Sequence, residues 1–516
     1  MGKYETAKLR NLGIVGQGDA GKTSLTEAIL YNTGMTDRLG RVDDGTSTMD
    51  FEPEEIKRQI TISSSLNHCE WGDCSLHIVD TPGYTNFLHD TRNCLRILGG
   101  SVLVVSAVDG VKAQTLKIWE WSNEFEVPRI VFVNKMDRDR ADFLKAVDDV
   151  QKSLDTRAIA IAMPVGSGED FKGIIDLIDM KARFFKFDGK GTYDETEIPA
   201  EYLEEAQRLR TSMVEAAAEA DDELMEKYLE TETLDRDDLL RGLREGTLTK
   251  VFTPVLCGSA TANIGVRNLL NAIVNCLPSP IDKGIQYGKN PKNGEADQRR
   301  PDPKEPFSAM VFKTISDPYA GKLTLFRIYS GTLKSDSTVY NPNKDITERI
   351  GQIFELEGKK QRALTEAEAG DIVAVAKLKE TATGDTLCDA AKPIVYASPM
   401  ALKPVISFAL AAKSKGDEDK IMSSLHRIME EDPTYQVQRD EETKEMILSG
   451  MGQVHVEVAV EKLKRKFGVE VLLKEPKVPY RETFKKTVKQ HYRHKKQSGG
   501  RGQFADVHIE IAPLAR

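Results

Sequence analysis

The stretch GQGDAGKT, Gly16 to Thr23, decides the fold. It lies between an apolar run, NLGIV, and a helix-forming run, TSLTEAIL. In a strand–loop–helix setting of this kind the backbone amides of Gly16, Gln17, Gly18, Asp19, Ala20 and Gly21 converge on a phosphate, and the helix amino terminus adds a favourable dipole. Lys22 then reaches the β- and γ-phosphates, and the Thr23 hydroxyl ligates Mg²⁺. Chance supplies roughly 0.02 such matches in a chain of this length.

Three further motifs follow in order. DTPG, comprising Asp80, Thr81, Pro82 and Gly83, closes the apolar run CSLHIV. Asp80 stands where a second carboxylate near Mg²⁺ is needed, and the Gly83 amide can sense a γ-phosphate and couple it to the segment that follows. NKMD, comprising Asn134, Lys135, Met136 and Asp137, follows RIVFV. A carboxylate placed against guanine accepts from N1–H and from the exocyclic amine, an edge that adenine lacks. A buried acceptor left unpaired by the wrong base discriminates by about 10⁴ to 10⁵. GSA, comprising Gly258, Ser259 and Ala260, follows TPVLC. Alone it carries little weight; in this order its backbone would touch the guanine O6.

Outward from these motifs, residues 11–280 alternate short apolar runs with helical stretches, an α/β doubly wound layout. The nucleotide domain is therefore set at 1–280, with an insertion at about 159–250 that carries an acidic amphipathic helix over residues 199–229. Residues 281–304 have linker composition. Residues 305–399 read as an antiparallel β-barrel, 400–475 as a ferredoxin-like α+β domain, and 476–516 as the start of a further domain. Trp119 and Trp121 are expected on an apolar helix, as core residues, and His455 in a packed strand.

Six scattered cysteines make no zinc pattern and suggest reduced thiols in a cytoplasmic protein. The polar amino terminus, MGKYETAKLR, carries no secretory pattern, and no apolar run is long enough for a membrane span. A net charge of −9 excludes a chain that coats nucleic acid with its whole surface. The exception is local: FKKTVKQHYRHKKQSGGRG, Phe484 to Gly502, concentrates lysine and arginine around Tyr492, a candidate contact to RNA phosphates.

The motif set resembles the translational GTPases, and the remaining sequence resembles elongation factor G. EAAAEADDELMEKYL, Glu215 to Leu229, is similar to that family's extra subdomain. FSAMVFKTISDPYAGKLTLFRIYSGTLKSDSTVYN, Phe307 to Asn341, is similar to its second domain, and Leu425 to Val471, with GMGQVH, to its third. VPYRETF and QSGGRGQF resemble the opening of the fourth. The resemblance implies GTP and GDP as ligands, Mg²⁺ held by Thr23, Thr61 and Asp80, and a monomer that binds ribosomal RNA and ribosomal proteins. It also implies GTP hydrolysis during translocation. The family continues beyond the fourth domain's first strands, so the sequence reads as C-terminally truncated, and translocation by this chain alone is not expected.

Three departures stand out. DTPGH becomes DTPGY, so Tyr84 occupies the place of the histidine that orients the attacking water. A phenol with pKa near 10 is a poor substitute for an imidazole. Gly18 replaces one wing of an apolar gate whose other wing would be Ile60. RGITI becomes RQITI, with Gln59 for glycine. The resemblance makes Tyr84, Thr61, Asp19 and Lys22 the catalytic group, with Asp19 also helping to hold a monovalent cation. The rival readings are a GTP-gated ribosome ligand with little turnover and a ribosome-protection factor.

Overall fold

A parallel sheet ends its strands on one edge, so motifs far apart in sequence meet at the loops along that edge. A computed structural model of the chain builds such a sheet; it describes residues 4–186, 188–317, 321–413, 418–480 and 482–514. The sheet contains β1 (Leu9–Val15), β2 (Ser65–Trp71), β3 (Cys74–Asp80), β4 (Gly100–Ser106), β5 (Arg129–Asn134), the strand Thr253–Cys257 and β6 (Ala158–Ala160). Their spatial order is β2-β3-β1-β4-β5, then Thr253–Cys257, then β6. Only β2 runs antiparallel to its neighbour. Residues of β1, β3, β4 and β5 are buried throughout, as their nearly unbroken apolar text requires.

Helices α1 (Lys22–Asn32), α2 (Pro53–Arg58), α3 (Leu88–Ile97), α4 (Ala113–Glu124) and α5 (Phe143–Leu154) flank the sheet. Trp119 and Trp121 are buried on α4, as expected. Helix α5 begins at Phe143, because the Asp142 carboxylate caps it by accepting from the Lys145 amide.

The insertion forms a four-stranded sheet and three helices. The single helix expected over 199–229 is two, Ala200–Glu219 and Asp222–Thr231. Asp221 divides them: its backbone is extended and its carboxylate accepts from the Glu223 and Leu224 amides, starting a new helix. Periodicity could not separate them, since both halves continue the same amphipathic text.

The stretch with linker composition is also structured. Strands Gln286–Lys289 and Ala296–Arg299 pair as a hairpin, and Lys289 bridges to Val395. Polar composition concealed it because the hairpin's faces are largely exposed while Arg299 alone is buried.

Eight antiparallel strands between Ser308 and Cys388 form a barrel-like sheet with its own core, including Val311, Phe326, Ile353 and Val375. A four-stranded sheet and the helices Glu418–Glu431 and Gln453–Phe467 enclose another core around Leu425, Leu448 and Leu463. His455 lies on the second of these helices, not on a strand. The alternation in GMGQVHVEVAV is compatible with both periods over so short a span.

The chain then forms an exposed hairpin, Val488–Lys496 with Gln503–Ile511, which carries much of the basic stretch. Met1 to Lys3, part of the DPYAGK turn (Pro318 to Ala320) and Arg481 of VPYRETF lie outside the described residues. Among the described residues no helix is long and apolar enough to cross a membrane. The six cysteines are free and buried.

Candidate functional site

The four motifs meet along the carboxyl edge of the large sheet, around a cavity of about 320 Å³. Gly18, Asp19, Gly21, Lys22, Thr23, Thr61, Gly83, Tyr84, Asn134 and Lys135 line it. Gly16, Gln17, Ala20, Asp80, Thr81, Pro82, Met136, Asp137, Gly258, Ser259 and Ala260 are not on that lining. The Gln17 side chain points away, its Oε1 accepting from the Lys112 amide at 3.1 Å and the Thr115 hydroxyl at 2.6 Å. Thr81 donates to the Ile14 carbonyl at 2.8 Å, and Met136 belongs to the apolar core.

Asn134 joins three motifs. Its Nδ2 donates to the Ala20 carbonyl at 2.8 Å, and its Oδ1 accepts from the Ala260 amide at 2.9 Å. Gly21 has φ +88°, and a Cβ there would run into the Asn134 amide. Both the backbone and the packing therefore demand glycine. Ser259 Oγ accepts from the Ala262 amide at 3.1 Å, closing the GSA loop. Asp137 keeps one buried carboxylate oxygen, Oδ1, without a hydrogen-bond partner.

A buried charge cluster lies at the Lys22 end of the cavity. Lys22 donates to the Gln17 carbonyl at 2.8 Å, and the Thr23 and Thr61 hydroxyls are 2.9 Å apart. Both oxygens of Asp80 and both of Asp50 are buried without hydrogen-bond partners. Burial, then the Asp50 charge, pushes the Asp80 carboxyl up to about 7, and burial pushes Asp50 up to about 6. Burial likewise lowers Lys22, against the raising effect of the neighbouring carboxylates. Carboxylates facing one another without partners, beside two hydroxyls, are the donor set a hard divalent cation requires.

Asp50 is a site residue the sequence motifs did not identify. It lies within TMDFEPEEIKRQITI, but at no spacing that marks it. Glu27 was missed as well, although its place four residues after Thr23 on α1 puts it on the same helix face. Its Oε1 accepts from Ser47 Oγ at 2.8 Å and from the Thr48 and Met49 amides at 2.6 and 3.0 Å, anchoring the segment that presents Asp50. Glu55 does the same for Thr61: its Oε1 accepts from the Ile62 and Ser63 amides at 3.0 and 3.1 Å. Burial, then the Asp50 charge, pushes the Glu55 carboxyl up to about 8.

The three departures are now explained in space. A Cβ on Gly18 would lie 3.1–3.2 Å from the Tyr84 ring, so the phenol occupies the volume a larger residue 18 would need. The Tyr84 hydroxyl donates to Asp19 Oδ1 at 2.7 Å. Burial and this bond push the phenol up to about 12. Gln59 ends α2 in the left-handed region at φ 55°, where glycine is the relaxed choice, and its Nε2 donates to the Asp43 carbonyl at 2.9 Å. Ile60 and Tyr84 pack with Ile62, Phe87, Val454 and Val458, so the cavity wall is backed by the helix Gln453–Phe467.

That helix also carries charge to the same wall. Glu461 pairs with Lys57 at 2.6 Å and with Arg58, and Arg465 pairs with Glu54 at 2.8 Å and with Glu52. His455 sits beneath them, donating from Nε2 to Asp432 at 2.9 Å while Nδ1 accepts from the Met451 amide at 3.0 Å. The Phe87 ring meets its edge at a centroid distance of 5.6 Å.

Comparison with known proteins gives the family. The family model described as elongation factor Tu GTP binding domain matches residues 7–279. Those for elongation factor G domain 2, domain III and domain IV match 306–390, 402–475 and 476–516. Elongation factor G of Thermotoga maritima (strain ATCC 43589 / DSM 3109 / JCM 10099 / NBRC 100826 / MSB8) is 44% identical over 507 residues, 98% of this chain and 73% of that protein. The chain belongs to the elongation factor G family.

Elongation factor G of Thermotoga petrophila (strain ATCC BAA-488 / DSM 13995 / JCM 10881 / RKU-1) matches with the same identity and coverage. A crystal structure of a protein from Thermus thermophilus superposes with a TM-score of 0.84 at 33% identity, covering 99% of this chain and 74% of that one. The protein is thus a GTP-binding GTPase of the elongation factor G type, acting in translation. Neither rival reading is favoured by these relatives.

Proposed function

We propose that the cavity holds GTP and positions water for attack on its γ-phosphate, in a cytoplasmic monomer that binds the ribosome. The observation that carries this reading is the set of orphaned Asp80 and Asp50 carboxylates beside the Thr23 and Thr61 hydroxyls. They fit Mg²⁺, with Thr23, Thr61 and Asp80 as its holders and Asp50 as an additional charge. When bound, Mg²⁺ supplies charge neutralisation at the phosphates.

The loop Gly16–Gly21 wraps the phosphates with its amides, and Lys22 draws charge from the β- and γ-oxygens. Thr81, Pro82 and Gly83 carry the γ-phosphate signal into the turn that follows. Asp137 reads the guanine edge, Asn134 holds it against the loop, Lys135 and Met136 shape the base pocket, and the Gly258–Ala260 backbone meets O6. The unpartnered Asp137 oxygen supports that role.

Tyr84 lies nearest the attacking water. Its phenol stays protonated at neutral pH and donates to Asp19, so it acts by position and not as a base. Asp19 retains its other oxygen for a monovalent cation beside the phosphates. The work divides among the nucleotide domain (1–280, insert about 159–250), a barrel (305–399) and an α+β domain (400–475), with residues 281–304 joining the first two and 476–516 opening a fourth. The lysines and arginines of Phe484–Gly502 contact ribosomal RNA.

The test is GTP hydrolysis with and without ribosomes, beside Tyr84→His. Many-fold stimulation of the unaltered protein supports the reading. A flat rate with guanine nucleotide still bound overturns it in favour of a nucleotide-gated ribosome ligand, and recovery in Tyr84→His would trace the loss to the phenol.

A further inference from the structure

Away from the nucleotide cavity, two histidines and two glutamates converge where the first sheet meets the barrel-like one. His68 on β2 faces His77 on β3 directly across the antiparallel pair. Glu355 and Glu357 stand two apart on the strand Ile353–Glu357, hence on one face of it. The two sheets are joined here by the Gly358 amide, which donates to the Leu66 carbonyl at 2.7 Å. A cavity of about 300 Å³ opens beside His68, His77 and Glu355.

One imidazole in this cluster lacks the partners that a buried imidazole ordinarily has, and the other has a single one. His68 is 3% exposed, and neither of its ring nitrogens makes a hydrogen bond. Its Nδ1 is 3.5 Å from Glu355 Oε2 and 3.9 Å from Glu357 Oε1. His77 is fixed more tightly. Asn11 Nδ2 donates to the Gly370 carbonyl at 2.7 Å, which turns Asn11 Oδ1 toward His77 as an acceptor at 2.8 Å. His77 must therefore carry its proton on Nδ1. Its Nε2 lone pair is left facing Glu355 Oε1 at 3.9 Å, acceptor against acceptor. Burial holds both imidazoles below their ordinary pKa, which favours the neutral, lone-pair form.

We infer that His68, His77, Glu355 and Glu357 form a binding site for a divalent transition-metal cation of zinc type, joining the nucleotide domain to the barrel-like domain. Bonds of about 2.0–2.1 Å in a tetrahedral site place ligand atoms about 3.3 Å apart. His68, Glu355 and Glu357 each offer one ligand atom within 4.8 Å of the others, and His77 Nε2, 3.9 Å from the other Glu355 oxygen, joins them by side-chain movement. Two imidazoles and two carboxylates suit zinc or cobalt better than magnesium or calcium, which take oxygen ligands. The hydrogen bond from His77 Nδ1 to Asn11 is the outer contact that fixes a ligating ring. Arg362 contacts Glu355 and lies 3.7 Å from Glu357, and it is partly exposed, so it can withdraw toward solvent as a cation enters.

The test is cobalt titration of the chelator-stripped, Mg²⁺-restored protein, read by the visible d–d absorption of four-coordinate Co²⁺ and by zinc displacement. A single saturable equivalent is expected in the unaltered protein, lost in His68→Ala and in Glu355→Gln. Asn11→Ala weakens it about 10- to 100-fold. Fluorescent GDP binding, retained in each variant, certifies folding. His508→Ala disables the exposed His491, Asp506 and His508 group, which also has metal-like spacing. Loss of the signal there, or its persistence in His68→Ala, overturns the proposal. Absence of any d–d band in the unaltered protein overturns it as well.

Discussion

The Tyr84 hydroxyl donates to Asp19 Oδ1 at 2.7 Å while its ring lies over Gly18, closing the phosphate loop against the start of the turn that follows β3. Substitution at one of these positions therefore constrains the other. Gly18→Ala places a methyl 3.1–3.2 Å from the ring, so the phenol must give by a few tenths of an ångström. The Tyr84–Asp19 bond is then strained, and in Tyr84→Phe it is lost. A hydrogen bond to a charged group is worth about 1.5–3 kcal/mol, and less here because Asp19 is exposed. Both variants are expected to bind GDP within a few-fold of the parent and to change ribosome-stimulated hydrolysis in the same direction. Opposite directions in a stopped-flow phosphate-release assay would break the link.

Gly21→Ala meets two obstacles at once, a left-handed backbone and the Asn134 amide. The backbone term alone costs roughly 1–2 kcal/mol. Displacing Asn134 also detaches the Ala20 carbonyl from the Ala260 amide. Guanine nucleotide affinity is expected to fall at least tenfold in a fluorescence titration, with the thermal midpoint lowered by a few degrees.

The acidic cluster gives a pH dependence with a definite sign. Asp80 and Asp50 are raised from 3.8 to about 7 and about 6, so the folded metal-free protein holds protons that the unfolded chain releases. Their contribution is full below pH 3.8 and is lost as pH rises through 6 and 7. In the presence of chelator, the melting temperature is expected to fall between about pH 5 and pH 8. Mg²⁺ should restore it at the upper end, and Asp50→Asn should flatten the profile. A melting temperature that rises over this window would contradict the assignment.

Arg465 ties the helix Gln453–Phe467 to the wall of the nucleotide cavity by pairing with the buried Glu54. Arg465→Ala leaves that carboxylate without its cation, at a cost of about 1–3 kcal/mol given that the arginine is partly exposed. A urea midpoint lowered in Arg465→Ala and partly recovered by adding Glu54→Gln is the expected result. No recovery would mean that the arginine acts through its packing instead.

The sequence by itself determined the GTP-binding fold, the family and many of the residues that line the cavity. Those features depend on local rules: a glycine-rich turn between a strand and a helix, and motifs that stand at strand ends. It placed Lys22, Thr23, Asn134 and Lys135 on the cavity lining for that reason. Asp50 and Glu27 were not legible, because their importance comes from burial against partners far along the chain and not from spacing. The helix break at Asp221 and the hairpin within residues 281–304 depend on which backbone groups a side chain or a neighbouring strand satisfies. Periodicity does not record that. Tertiary structure alone decided that Tyr84 fills the space above Gly18, and that His68 and His77 meet Glu355 across two domains. Contacts between residues hundreds of positions apart arise only when separate cores pack together.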